Sequence, residues 1–346
     1  LRDDGWFDKQ QMDVPNLAEL LDLVALGTVA DVVVLDRNNR ILVNEGLKRI
    51  RAGRACPGIL ALLQVSKRKR QSLVASDLGF AVGPRLNAAG RLEDMSLGIE
   101  CLLTESVDAA YQSALQLDEL NSDRRLIESE MREQAFKNLD ELSLSEDQLP
   151  AGLCIYNENW HQGVIGILAS RVKDKIHRPV IAFADATAEG QGEAELKGSA
   201  RSIIGFHIRD ALDAIASRHP ELISKFGGHA MAAGLSLEKS RLADFSKAFA
   251  EHAASLLGED ELLARVITDG ELQAEEFALT AAEALTAAGP WGQGFPEPTF
   301  DGVFKIRDLR VLADKHIKFT LDPEPGGGPV EAIAFNADMS LELQVG

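Results

Sequence analysis

From Ser106 to Leu142 the chain carries neither glycine nor proline, and Leu115, Leu117, Leu120, Ile127, Met131 and Phe136 recur at helical spacing. One or two long helices are predicted there. Asp118, Glu119, Asp123, Arg124, Arg125, Glu128, Glu130, Arg132 and Glu133 give the segment so many charges that it suits a strut between domains better than a core element. A strut needs something at both ends, and 346 residues are enough for two or three ordinary domains.

Ahead of this segment, Asn16 is placed to cap a helix over Leu17–Leu23, followed by a Gly27-Thr28 turn and an apolar run, Val32-Val33-Val34, that suggests α/β architecture. A second helix is expected over Asn44–Ala52. The polar stretch Ser143–Gly152 reads as a boundary. Beyond it, Leu153–Tyr156 is predicted as a strand, Gly163–Lys175 as a helix and Pro179–Phe183 as a strand, together a parallel βαβ unit. Ala186–Glu195 is predicted as a loop, Lys197–Arg201 as a strand, and Arg209–Arg218 and Leu242–Leu257 as helices. From Ala264 onward short runs such as Val303–Ile306 and His316–Thr320, separated by turns, suggest a small β-barrel.

Hydrophobic residues at 45% and charged residues at 26% exclude the disordered and membrane classes. No apolar run approaches the roughly 20 residues that span a bilayer, so no membrane role and a cytoplasmic location are expected. Cys56, Cys101 and Cys154 are too widely spaced for a zinc site or a disulfide framework. The first residue is Leu, and the chain is treated as a fragment that begins in mid-gene. A net charge of −18 argues against a uniformly basic DNA-coating surface. Local basic stretches remain, as at Lys67–Arg70, and acidic surroundings would confine a polyanion to one groove.

Several strings carry chemistry. Gly27–Asp31 sets one carboxylate at the end of a helix, where it is either a ligand for a hard divalent metal or a solvated cap. In Pro84–Arg91, Arg85 and Arg91 flank small residues, a spacing that suits an oxyanion site or an interdomain loop. His161, before the helix at Gly163, either faces a phosphate or caps its own loop. Ser199 and Arg201 share one face of a strand and can grip phosphate oxygens, with Ser202 beside them. In Phe226–Gly234, Gly227 and Gly228 form a turn that holds His229 beside small residues suited to the start of a helix.

Together and in this order these strings resemble the RecJ family of single-strand-specific exonucleases, a branch of the DHH phosphoesterases, over essentially the whole chain. The resemblance implies an α/β fold class. Residues 1–75 would be the C-terminal part of a DHH catalytic domain, 76–147 a linker and long connecting helix, 148–258 an α/β DHHA1 domain, and 264–346 an OB-like β-barrel, expected to be truncated. It implies 5′ to 3′ hydrolysis of single-stranded DNA in repair and recombination, with two Mn²⁺ or Mg²⁺ ions and Asp31 as one metal ligand. Arg85, Asn87, Arg91, His161, Ser199, Arg201, Ser202, Gly227 and Gly228 would contact substrate, and His229 would lie near the scissile phosphate. The family's paired aspartates and Asp-His-His string are absent, so the chain alone is expected to be inactive. By the same route a single-strand-binding protein and a RecQ-type helicase are expected partners. The rival readings are a small-oligonucleotide (nanoRNA) phosphodiesterase and a non-catalytic single-strand-binding scaffold of the same fold.

Overall fold

The computed structural model describes residues 4–141, 149–186, 195–324, 326–337 and 339. The first helices are α1 (Trp6–Lys9), α2 (Leu21–Ala30), α3 (Arg37–Arg51), α4 (Pro57–Val65) and α5 (Ala75–Asp77). A π-helical turn, Leu78–Val82, leads to α6 (Gly83–Leu92), α7 (Ser96–Leu103) and α8 (Val107–Glu141). Then come β1 (Leu153–Tyr156), α9 (Ile165–Ile176), β2 (Val180–Asp185), β3 (Glu195–Arg201), α10 (Ile208–Arg218), β4 (Lys225–Gly228), β5 (Ala232–Glu238) and α11 (Leu242–Leu256). The chain continues through α12 (Leu279–Ala288), β6 (Val303–Leu312), β7 (His316–Glu324) and β8 (Val330–Ala334). Two compact units result. One is discontinuous, Leu1–Gly83 with Val266–Gly346; the other is the intervening Pro84–Arg265.

In the discontinuous unit, Asn16 accepts from the Ala18 N–H at 3.2 Å and caps a 3-10 turn that continues into α2. The helix then runs straight through Gly27-Thr28 to Ala30, so no turn forms there. Burial of Ala25 and Leu26 outweighs the roughly 1 kcal/mol that an internal glycine costs. The apolar run after it is not a strand either: Val32 has φ +55° and Val32–Val34 remain largely exposed. The next helix, α3, starts earlier than expected because the Asp36 side chain accepts from the Asn39 N–H at 2.8 Å. Asp22, 2% exposed, accepts from the Cys56 N–H at 2.7 Å and thereby anchors the entry to α4.

Helices α2 and α3 meet at Gly46, where a Cβ would come within 3 Å of the Leu21 carbonyl oxygen and the Ala25 Cβ. Because one of those atoms is helix backbone, Gly46→Ala is expected to cost about 1–3 kcal/mol by overpacking. Urea denaturation measures it, and an unchanged midpoint would contradict so close a crossing. The C-terminal strands form an antiparallel sheet in the order β6-β7-β8, with a bulge between Ile306 and Asp308. These three strands, with isolated bridges at Glu271–Asp301 and Gly292–Phe295, are what the described residues show of the expected OB-like barrel. Leu35 donates its N–H to the Gln293 carbonyl at 2.7 Å, and the Arg40 guanidinium lies 3.6 Å over the Phe295 ring, which stacks on Trp291. These contacts join the two chain segments of the unit.

In the 84–265 unit the sheet order is β1-β2-β3-β5-β4. Only β1 and β2 are parallel, so the βαβ unit sits at one edge of a mixed sheet. One face, with Ile181, Phe183, Leu196, Ala200 and Leu235, packs on α10 and α11 through Leu212, Phe245 and Phe249. On the other, Val180, Ala182 and Ala184 pack on α9 and on Met131 and Ala135 of α8. One side of α8 is therefore core, and the helix is not merely a charged strut. The predicted boundary residues 143–148 and loop residues 187–194 lie outside the described residues.

Candidate functional site

The α9 face of the sheet is covered over β1 and β2 and polar over β3, β5 and β4. Its alternation follows from pairing. Arg201 lies opposite Val180 and Ser199 opposite Ala182, so both side chains point to the α9 side, while Ala200 points into the other core. Gly166, in the first turn of α9, makes this approach possible: a Cβ there would lie 2.9 Å from Ser199 Oγ and 2.8 Å from an Arg201 guanidinium nitrogen. The positive end of the helix is thus brought over a hydroxyl and a cation.

Arg201 donates to Ser199 Oγ at 3.2 Å and to the Ala200 carbonyl at 2.8 Å, and makes no ion pair among the described residues. A second guanidinium is near. Arg91, at the end of α6, donates to the Gly163 carbonyl at 3.1 Å, and a Cβ on Gly163 would collide with the Arg91 carbonyl oxygen. Burial, and then the charge of Arg91, pull Arg201 below the usual arginine range. Burial and Arg124 do the same to Arg91, with Glu128 opposing them. Two desolvated cations that disfavour each other, with a hydroxyl and a helix N-terminus beside them, form a cluster chemically suited to an oxyanion.

Next to Ser199 the sheet has no side chains. Gly234 of β5 pairs with Ser199, and Gly227 of β4 pairs with Gly234, so the row on this face is Ser199, Gly234, Gly227. A Cβ on Gly227 would meet nothing within 4 Å, and one on Gly234 only the Gly198 carbonyl at 3.9 Å. Packing does not require these two glycines; they leave an open ledge where a ligand backbone can approach. Gly228 differs, with φ +149° and a hypothetical Cβ 2.5 Å from the Ala232 carbonyl oxygen.

Several expectations change. Pro84–Arg91 is helix, not loop. Pro84 lies in the first turn, where its missing N–H costs nothing. Arg85 is buried and pairs with Asp118 at 2.7 Å, tying α6 to α8. Asn87 is exposed on α6. His161 Nδ1 accepts from the Gly163 N–H at 3.1 Å and so caps its own loop. Ser202 is buried and its hydroxyl donates to the Phe206 carbonyl at 2.5 Å, which removes it from the ligand face. Phe226–Gly234 is a β-hairpin rather than a helix start: His229 donates its N–H to the Ala232 carbonyl at 2.8 Å and lies exposed at the tip. That tip sits beside the end of β3, because Ser202 donates its N–H to the Met231 carbonyl at 3.0 Å.

Sequence reasoning missed Gly166, whose role depends on a strand 33 residues away, and the α8 group Asn121, Arg124 and Glu128, whose i, i+3 and i+4 spacing was the available signal. Asp31 belongs to the discontinuous unit, where it is the exposed C-cap of α2. Among the described residues no group of three or more His, Cys, Asp or Glu side chains could hold a metal ion. One exposed carboxylate does not make a two-metal centre, so these residues do not fit such a site by themselves.

The mixed sheet and the antiparallel strands that follow it fall within two known domain families: residues 150–255 match the DHHA1 domain and 268–345 the RecJ OB domain. The chain carries both of these domains and is similar to RecJ proteins along nearly its whole length. It is 55% identical over 341 residues to the single-stranded-DNA-specific exonuclease RecJ of Dickeya dadantii (strain 3937), and 52% identical to that of Escherichia coli (strain K12). In both cases 99% of this chain aligns with 58% of the relative, so the chain spans little more than half of their length. RecJ of Thermus thermophilus in complex with Mn²⁺ superposes with a TM-score of 0.77 at 28% identity, covering 97% of this chain and 47% of that one. The Mg²⁺ complex gives 0.76, covering 97% and 49%. No helix among the described residues is long and apolar enough to cross a membrane.

Proposed function

We propose that this chain supplies the 5′-end grip of a single-strand-specific 5′ to 3′ exodeoxyribonuclease that acts in DNA repair and recombination. Arg201 carries the reading: it is a half-buried cation without an acid partner among the described residues, set against Ser199 and the first turn of α9 and within the field of Arg91. A terminal phosphate has the charge and the acceptor oxygens to satisfy all four groups. The sugar-phosphate backbone would lie on the ledge of Gly234 and Gly227, with His229 at the rim able to donate to a developing negative charge.

In this proposal residues 1–75 end the DHH catalytic domain, 76–147 connect, 148–258 are the DHHA1 domain and 264–346 the OB domain. Asp31 would be one ligand of a pair of divalent ions, which would supply Lewis-acid activation of water when bound. The other ligands would lie outside this chain, and the chain alone should release no nucleotide. The test is direct. A single-stranded oligonucleotide with a 5′ phosphate should bind this chain more tightly than the same strand with a 5′ hydroxyl, and a blunt duplex should not compete. Equal affinity for the two strands would refute the grip.

A further inference from the structure

Beside the oxyanion cluster, α8 and α9 enclose a small polar group that the site does not touch. Glu128, 8% exposed, accepts from Arg124 at 2.9 Å with one carboxylate oxygen and from Arg171 Nε at 3.0 Å with the other. Arg124, also 8% exposed, donates to Asn121 Oδ1 at 3.1 Å. The Arg124 Nε and the Asn121 Nδ2 have no partner among the described residues. The group is therefore under-satisfied, and one carboxylate serves two guanidiniums. A third, Arg91, lies within the field of both Arg124 and Glu128.

We propose that Glu128 is a positioning residue for the oxyanion cluster: by neutralising Arg124 it allows the Arg91 guanidinium to stay on the Gly163 carbonyl and face the ligand. This rests on the 5′-phosphate reading of the cluster and adds a requirement to it. Without the carboxylate, Arg124 is a buried cation whose remaining partner is an amide oxygen, and its unopposed charge pushes Arg91 toward solvent. The cluster then loses one of its two cations although none of its own residues has changed.

The experiment compares affinities of this chain for a 5′-phosphorylated and a 5′-hydroxyl single strand, read as their ratio. Glu128→Gln should lower the ratio about tenfold, the order expected for losing one charge-assisted hydrogen bond, with the hydroxyl strand bound as before. Glu128→Asp, which keeps the charge, should hold the ratio near wild type. The double variant Arg124→Gln/Glu128→Gln removes both charges and should restore the ratio; a lost ratio there counts against the role even if Glu128→Gln fails to fold. A wild-type ratio in folded Glu128→Gln, or a lost ratio in the double variant, overturns the positioning role and leaves the grip intact. A wild-type chain that does not distinguish the two strands sinks the grip, and the positioning role with it.

Discussion

Arg201→Ala is expected to weaken binding of a 5′-phosphorylated single strand by roughly 10–100-fold, because hydrogen bonds to a charged group are each worth about 1.5–3 kcal/mol. The melting temperature should hardly move. Arg201 has no ion pair to lose among the described residues, and its neighbours Ser199 and Ala200 keep their strand pairing. Ser199→Ala should show the same direction with a smaller loss. Fluorescence anisotropy on the two strands, with circular dichroism as the folding control, distinguishes the cases. Unchanged affinity in a folded Arg201→Ala would remove the residue that carries the functional reading.

Phe183→Ala acts through the opposite face of the same sheet and should produce the largest loss of stability. Phe183 is fully buried, meets Phe245 edge to face with ring centroids 5.8 Å apart, and covers Gly198, where a Cβ would lie 2.6 Å from its ring. Removing it leaves a cavity that the stacked Phe245 and Phe249 rings cannot fill without sliding apart. A cost of about 3–5 kcal/mol is expected by denaturant titration. A loss below about 1 kcal/mol would mean that this core collapses freely and that the sheet does not rest on it.

The contrast between these substitutions parallels what could be read in advance. Periodicity located α8 to within a residue at each end, and the strands at Leu153, Val180 and Lys197, because each is a local pattern that its own packing face enforces. Glycine was the main source of error. Gly27 looked like a turn but is carried inside α2 by the burial of its neighbours, and the small residues after Gly228 looked like a packed helix although they let two strands pair closely. Of the candidate site, Ser199 and Arg201 were legible as alternate residues of one strand. The commitment of Arg85 to Asp118 was not, nor was the place of Gly166 on Ser199, since both depend on partners 33 residues away. Spacing along the chain does not encode which of two nearby arginines keeps its charge free.

The discontinuous unit has a consequence for synthesis. Residues 84–265 form a contiguous stretch that can close as soon as it leaves the ribosome, whereas Leu35 and Arg40 wait for Gln293 and Phe295. At about 5–20 residues per second the last segment trails by several seconds or more. During that interval α2 and α3 must remain soluble with these partners still unmade, while the sheet of residues 84–265 is already complete.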